Sequence, residues 1–142
     1  MSKKRSVVAV IDDNVGILGA MARLLSALGY EAELYASAQE FLDVAMMTEA
    51  TCLIIDVQIG EHIGIDLALH VAKQGFTIPV IFMSADHAES VKERAMEIGC
   101  IAFLDKPFSA DALIAALAKL PDRRAPWNAA WLQSGGRRVI QF

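Results

Sequence analysis

Apolar residues in this chain fall into two alternating rhythms. Short unbroken runs of five or so recur at Val7–Ile11, Cys52–Ile55, Pro79–Met83 and Cys100–Leu104. Such runs are too short for typical helices and rich in branched side chains, so they predict strands buried on both faces. Glu31–Tyr35 alternates apolar and polar residues and predicts a second, weaker strand nearer a sheet edge. Between these runs the apolar spacing lengthens to three and four, the period of an amphipathic helix. Ile17, Met21, Leu24, Leu25 and Leu28 share one face of a first helix that stops at Gly29. Ser37 to Glu40 fits a capping box opening a helix with Phe41, Leu42 and Ala45 inward. Leu67, Ala68 and Val71 mark a third helix, ending near Gly75. Asp86 and Glu89 start a fourth, with Val91, Ala95 and Ile98 buried and Gly99 as its stop. Ser109 caps a fifth, with Leu113, Ile114, Leu117 and Leu120 inward. Val57 to Gly64 has no helical period and holds two glycines, which predicts a loop.

Five strands alternating with five helices through short connections imply an α/β fold, a doubly wound parallel sheet. The length of 142 residues fits one domain with little left for a second, so residues 1–120 form the domain and 121–142 a short tail. A hydrophobic share of 55% is high, as expected of a sheet covered on both faces. No apolar run approaches the roughly 18 residues of a membrane span. The basic start Met1–Arg5 is followed by an apolar run that ends in Asp12-Asp13, which argues against a signal peptide and for a cytoplasmic protein. Cys52 and Cys100 sit inside apolar runs without metal-ligand spacing and read as core thiols. The net charge of −4 is uneven: four arginines and one aspartate give residues 121–142 a charge of +3, leaving −7 on residues 1–120. An acidic body argues against direct nucleic-acid binding by the domain.

Right-handed crossovers bring every strand's C-terminal end to one edge, where open α/β sheets bind ligands. Asp12-Asp13, Asp56, Ser84 and Lys106 all follow strand ends and therefore converge there. Asp56 alone would read as a solvated strand-end acid, and Lys106 alone as a surface lysine. Together they raise a different chemistry. Three carboxylates repel unless a cation joins them, and Mg²⁺ suits oxygen ligands with retained waters. A lysine and a hydroxyl beside a carboxylate nucleophile and a metal are what formation of an aspartyl phosphate requires.

In this arrangement the chain resembles the receiver domain of two-component response regulators over residues 7–120. The resemblance rests on Asp12-Asp13, Asp56, Gly64, Ser84-Ala85, Phe103 and Lys106-Pro107-Phe108, in the family's order and approximate spacing. It implies a flavodoxin-like, CheY-like sheet of strand order 2-1-3-4-5. It also implies that Asp56 is the phosphoacceptor, and that Asp13 directly and Asp12 through water hold Mg²⁺ with the backbone carbonyl of Gln58. Lys106 would pair with the phosphoryl group, and the Lys106-Pro107 bond would be cis. Ser84 would be the switch hydroxyl, although a helix-capping role is an alternative. Phe103 would be the aromatic whose rotamer follows it, and core packing suits that residue in either case. The implied partners are a histidine kinase or phosphotransfer protein and a downstream target or second copy docking on the fourth helix, fifth strand and fifth helix. The chain would be a single-domain, stand-alone regulator without an output domain, and an autocatalytic phosphoacceptor rather than an enzyme.

Gly60 stands where receivers commonly have proline, which predicts a more mobile loop. Glu61-His62 in the same loop is unusual, and Gln58 and Asp86 occupy positions that tune phosphoryl lifetime in the family. His62, His70 and His87 show no ligand spacing. Two other readings remain at this level. One is a phosphorylation-independent interaction module on the same fold. The other, an Asp-nucleophile phosphatase, is disfavoured by Asp12-Asp13-Asn14 where an Asp-x-Asp motif would stand. The tail, with Trp127, Trp131 and Leu132 between arginine pairs, reads either as a disordered or folded-back end or as a partner-docking peptide.

Overall fold

The computed structural model describes residues 6–59, 62–75, 77–85 and 89–120. Gly60, Glu61, Asp86, His87 and the tail 121–142 lie outside the described residues, as does the side chain of His62.

Among the described residues, seven strands and five α-helices follow in chain order: β1 (Val7–Ile11), α1 (Val15–Ala27), β2 (Glu31–Tyr35), α2 (Ala38–Val44), β3 (Ala50–Asp56), β4 (Gln58–Ile59), β5 (His62–Ile63), α3 (Gly64–Lys73), β6 (Val80–Ser84), α4 (Glu89–Glu97), β7 (Ala102–Asp105) and α5 (Ala110–Leu117). A 3₁₀ turn, Ala45–Met47, joins α2 to β3. Five strands form one parallel sheet, ordered β2-β1-β3-β6-β7. Counting those five alone, this is the expected 2-1-3-4-5. The numbering differs because the expected Val57–Gly64 loop contains a short antiparallel ladder, with Gln58 opposite Ile63 and Ile59 opposite His62. Two-residue strands carry no readable alternation, so periodicity could not reveal them.

The sheet separates two apolar layers. On β3, Leu53 and Ile55 join a cluster with Phe41 of α2 and Ala68 and Val71 of α3. Cys52 and Ile54 point the other way, to Leu18, Met21 and Leu25 of α1 and Leu113, Ala116 and Leu117 of α5. Each residue from Cys52 to Ile55 is buried, as a central strand in a doubly covered sheet requires.

Local signals set the boundaries. Asn14 Oδ1 accepts from Ile17 N at the start of α1, Ser37 Oγ from Glu40 N at α2, and Ser109 Oγ from Ala112 N at α5. Glu40 closes its capping box on the N–H of Ala36 rather than on that of Ser37. The fourth sheet strand starts at Val80 because Pro79 has no N–H to donate; its carbonyl accepts from Leu53 N instead. The fifth begins only at Ala102, since Cys100 N still donates back to Ala95 of α4. Ile114 is a correction. It is 44% exposed, because the short α5 buries Leu113, Ala116 and Leu117 at helical spacing and leaves Ile114 on the flank.

Candidate functional site at the strand ends

Asp12 directly follows β1, and Asp56 ends the adjacent β3. The register pairs Ile11 with Ile55, so the two acids face each other across neighbouring strands. Asp12 is fully buried and Asp56 is 7% exposed. Each is held in the same way. Asp12 Oδ1 accepts from Asn14 N at 2.8 Å, and Asp56 Oδ1 accepts from Gln58 N at 2.8 Å. The second oxygen of each meets one lysine: Lys106 Nζ lies 2.7 Å from Asp12 Oδ2 and 2.6 Å from Asp56 Oδ2. Lys106 arrives from the end of β7, its own N–H donating to the Ser84 carbonyl at 2.7 Å and prolonging the β6–β7 ladder by one bond. Its bond to Pro107 is cis, as expected.

Two buried carboxylates would be costly without such partners. Burial pushes the Asp56 carboxyl above its ordinary range, against the pull of Lys106 and the Gln58 amide; the charge of Asp12 pushes the same way as burial. Burial alone would lower Lys106, but its hydrogen bonds to Asp12 and Asp56 outweigh that and raise it. One ammonium faces two carboxylates, which holds Lys106 protonated, while each carboxylate has only a share in one ammonium.

Asp13 is exposed, and carboxylate oxygens of Asp12, Asp13 and Asp56 all lie within 4.8 Å of one another. Three hard oxygen donors at this spacing could hold a metal ion. Ser84 is buried at the end of β6, one residue beyond Met83, the register partner of Asp56. Phe103 is half-buried on β7 opposite Phe82 and packs against the apolar cluster under α2 and α3. It shares a sheet face with Ser84, one diagonal step away, and lies below the carboxylates rather than among them.

The structure therefore brings Asp12, Asp13, Asp56, Gln58 and Lys106 together, sets Ser84 on the next strand end and keeps Phe103 in the packed layer. Sequence reasoning passed over Asn14, which caps α1 and clamps Asp12 with its backbone. An Asn directly before an apolar helical period was the available signal.

A fold of this order, with three acids and a lysine at the sheet edge, defines a class that comparison with known proteins identifies. The response regulator receiver domain family matches residues 8–118, and the chain belongs to that family. It is 32% identical over 129 residues to the response regulator protein TodT of Pseudomonas putida, covering 88% of this chain and 57% of TodT. The chain thus spans little more than half the length of that relative. Among solved structures, a response regulator receiver protein from Burkholderia phymatum is 37% identical, with a TM-score of 0.73 over 82% of this chain and 95% of that one. Full-length FixJ from B. japonicum is 27% identical, with a TM-score of 0.78 over 93% of this chain and 66% of that one. Among the described residues no helix is long and apolar enough to cross a membrane.

Proposed function

We propose that the chain is a phosphorylation-dependent switch in which Asp56 accepts a phosphoryl group from a histidine kinase or phosphotransfer protein. The observation that carries this reading is Lys106 Nζ held between Asp12 and Asp56 beside a third carboxylate. Asp12, Asp13, Asp56 and the Gln58 carbonyl would hold Mg²⁺. That carbonyl shares a side of β4 with the N–H that Asp56 accepts, since both groups of a strand residue project the same way. The bound cation supplies charge neutralisation for the phosphoryl oxygens.

The chain's own residues do the rest. An Asp56 oxygen forms the new P–O bond as the P–N bond to the donor's imidazole breaks, and the bonding pair leaves on that nitrogen, which takes a proton. Lys106 is free to follow the incoming charge, exchanging a carboxylate for a phosphoryl oxygen without leaving the site. Ser84, on the next strand end, donates its hydroxyl to the new dianion, and the shift reaches Phe103 through their shared sheet face. The readout is the face of α4, β7 and α5, which a protein target or a second copy reads. The chain acts in the cytoplasm, is a self-modifying acceptor rather than an enzyme, and neither binds nucleic acid nor enters a membrane.

Incubation with a small acyl phosphate and Mg²⁺ tests this by intact mass. Wild type gains one labile phosphoryl group and Asp56→Asn gains none. An unmodified wild type whose partner binding matches that of Asp56→Asn would leave only a phosphorylation-independent module.

A further inference from the structure

At the end of α4, where the chain turns toward the start of β7, two sulfur atoms meet. Gly99 N donates to the Met96 carbonyl and Cys100 N to that of Ala95, the paired bonds of a Schellman turn. The turn uses the left-handed backbone of Gly99, with φ of +92°. It folds Cys100 back against the last turn of the helix, where the Cys100 thiol donates to Met96 Sδ at 3.7 Å.

The two sulfurs differ in exposure. Cys100 is buried with Ala95 in the apolar layer under α2 and α3, whereas Met96 is 52% exposed. Burial raises the Cys100 thiol to about 11, against the pull of backbone amides and of Lys119. At neutral pH it is therefore a protonated donor and a poor nucleophile toward an oxidant. The influence of Lys119, just beyond α5, sets the pair on the flank shared by α4 and α5.

A thioether sulfur carries two lone pairs, and attack through one or the other gives opposite sulfoxide epimers. At Met96 one lone pair meets the Cys100 thiol and the other faces solvent.

We propose that Met96 is a modification site, at which a peroxide delivers oxygen to the solvent-facing lone pair and forms predominantly one sulfoxide epimer. The sulfur lone pair makes the new S–O bond as the peroxide O–O bond breaks. The departing oxygen keeps its own proton, gains the one released by its partner oxygen and leaves as water. Sulfur is oxidised by two electrons and the peroxide is reduced by two. Cys100 is not consumed, and its thiol stays on the inner side of the sulfur, so the new oxygen projects outward.

The other described methionines supply the contrast. Met46 and Met47, in the 3₁₀ turn after α2, are 81% and 79% exposed, so solvent reaches both lone pairs. Met21 and Met83 are buried in the layer under α1 and α5. At Met96 alone among these five does a protein donor shield one side of an accessible sulfur. The outward oxygen replaces an apolar surface with a polar, chiral one, where a docking partner would otherwise bury a thioether. That consequence rests on the readout face proposed above; the modification does not.

Limited treatment of the whole 142-residue chain with hydrogen peroxide at neutral pH tests the assignment. After quenching and digestion, peptide masses locate the added oxygen. The digest is then divided between the two classes of methionine sulfoxide reductase, each of which reduces one epimer. Met46, Met47 and Met96 should each gain one oxygen well before Met21 and Met83. One reductase class should clear the Met96 oxygen in severalfold excess over the other, while the two divide Met46 and Met47 about evenly. Wild type oxidised in urea, and folded Cys100→Ala, should each bring Met96 to an even division. Cys100→Ser, which keeps a donor, should keep the bias. Met21 and Met83 report folding in every variant, and the urea comparison decides if Cys100→Ala exposes them. Oxidation of Met96 no faster than of Met21 and Met83 overturns the proposal. So does an even division in folded wild type. A bias undiminished in folded Cys100→Ala overturns it too, because the helix and not the thiol would then select the face.

Discussion

Gly64 opens α3 directly against the end of β3, and replacing it with alanine separates two effects of opposite sign. Gly64 has no left-handed backbone, and alanine is the better helix former by up to about 1 kcal/mol. On propensity alone Gly64→Ala would stabilise. Space decides otherwise. A Cβ there would overlap the Asp56 carbonyl oxygen and lie 2.7 Å from Ile55 Cγ2. Ordinary carbon contacts begin near 3.5 Å, so the two segments must separate by about 1 Å. The obstacle is the buried central strand, not the end of a flexible side chain, and overpacking of this kind costs about 1–3 kcal/mol. The expected net loss is about 2 kcal/mol, a Tm lower by roughly 5–15 °C. Because the displaced peptide belongs to Asp56, phosphorylation by a small acyl phosphate should also slow under conditions where the variant is fully folded. Gly29 is the control. A Cβ there meets nothing within 4 Å, but its φ of +93° is left-handed, so Gly29→Ala should cost about 1–2 kcal/mol and leave phosphorylation unchanged. Asparagine, which tolerates that backbone, should recover part of the loss at 29 and deepen it at 64. Urea unfolding measures all four variants. A Gly64→Ala midpoint equal to or above wild type would refute the reasoning, since the clash would then be relieved at no cost.

Lys106→Met removes the shared cation from the fully buried Asp12 and from Asp56, an expected loss of about 3 kcal/mol without divalent metal. Mg²⁺ should restore part of it in urea titrations by binding the folded state, and equal losses with and without Mg²⁺ would contradict a metal-binding cluster. Tyr35, partly buried and donating to Glu33 at 2.8 Å, is pushed up from 10.0 to about 12, burial being the larger cause. The folded chain therefore holds that proton more tightly than the unfolded chain. This stability is present below pH 10.0 and is lost as pH rises through about 12. Unfolding midpoints taken up that range should fall more steeply for wild type than for Tyr35→Phe, and parallel curves would count against it. Burial pushes both free thiols up, Cys52 beyond the usual thiol range and Cys100 to about 11. A thiol-exchange reagent at pH 8 should therefore label two cysteines in denaturant and neither in the folded protein, whereas fast labelling of Cys52 when folded would place it outside the core.

The site was legible because a parallel sheet converts strand order into proximity. Asp12, Asp56, Ser84 and Lys106 are far apart in the chain, yet each follows an apolar run, and the fold puts the ends of those runs on one edge. What could not be read is what depends on backbone rather than on side-chain type. The Asn14 and Gln58 amides that clamp the two buried acids would serve as well from almost any residue. The β4–β5 ladder is two pairs long, below the length at which alternation is a signal. Ile114 misled because α5 is apolar nearly all round, so its pattern names a helix without naming the face that is covered.

Those two backbone clamps also separate geometry from charge at the site. Asp12 and Asp56 each give Oδ1 to the amide two residues further on, which fixes the plane of the carboxylate. Each thereby presents Oδ2 to the space between β1 and β3, and Lys106 occupies that space without creating it. The lysine reaches it from a third strand end, anchored by its own amide on Ser84. An ammonium group on a long stem can move toward a phosphoryl oxygen while both carboxylates stay where their amides hold them. Preorganisation then resides in the turns at residues 12–14 and 56–58, and charge balance resides in Lys106. For this reason a side chain added at Gly64, which would meet the carbonyl of Asp56, would displace the backbone of that residue, whereas Lys106 acts on its ionisation. Because both positions act on Asp56, their substitutions should combine non-additively in stability, and a double-mutant cycle in urea would read zero coupling only if the two effects were independent.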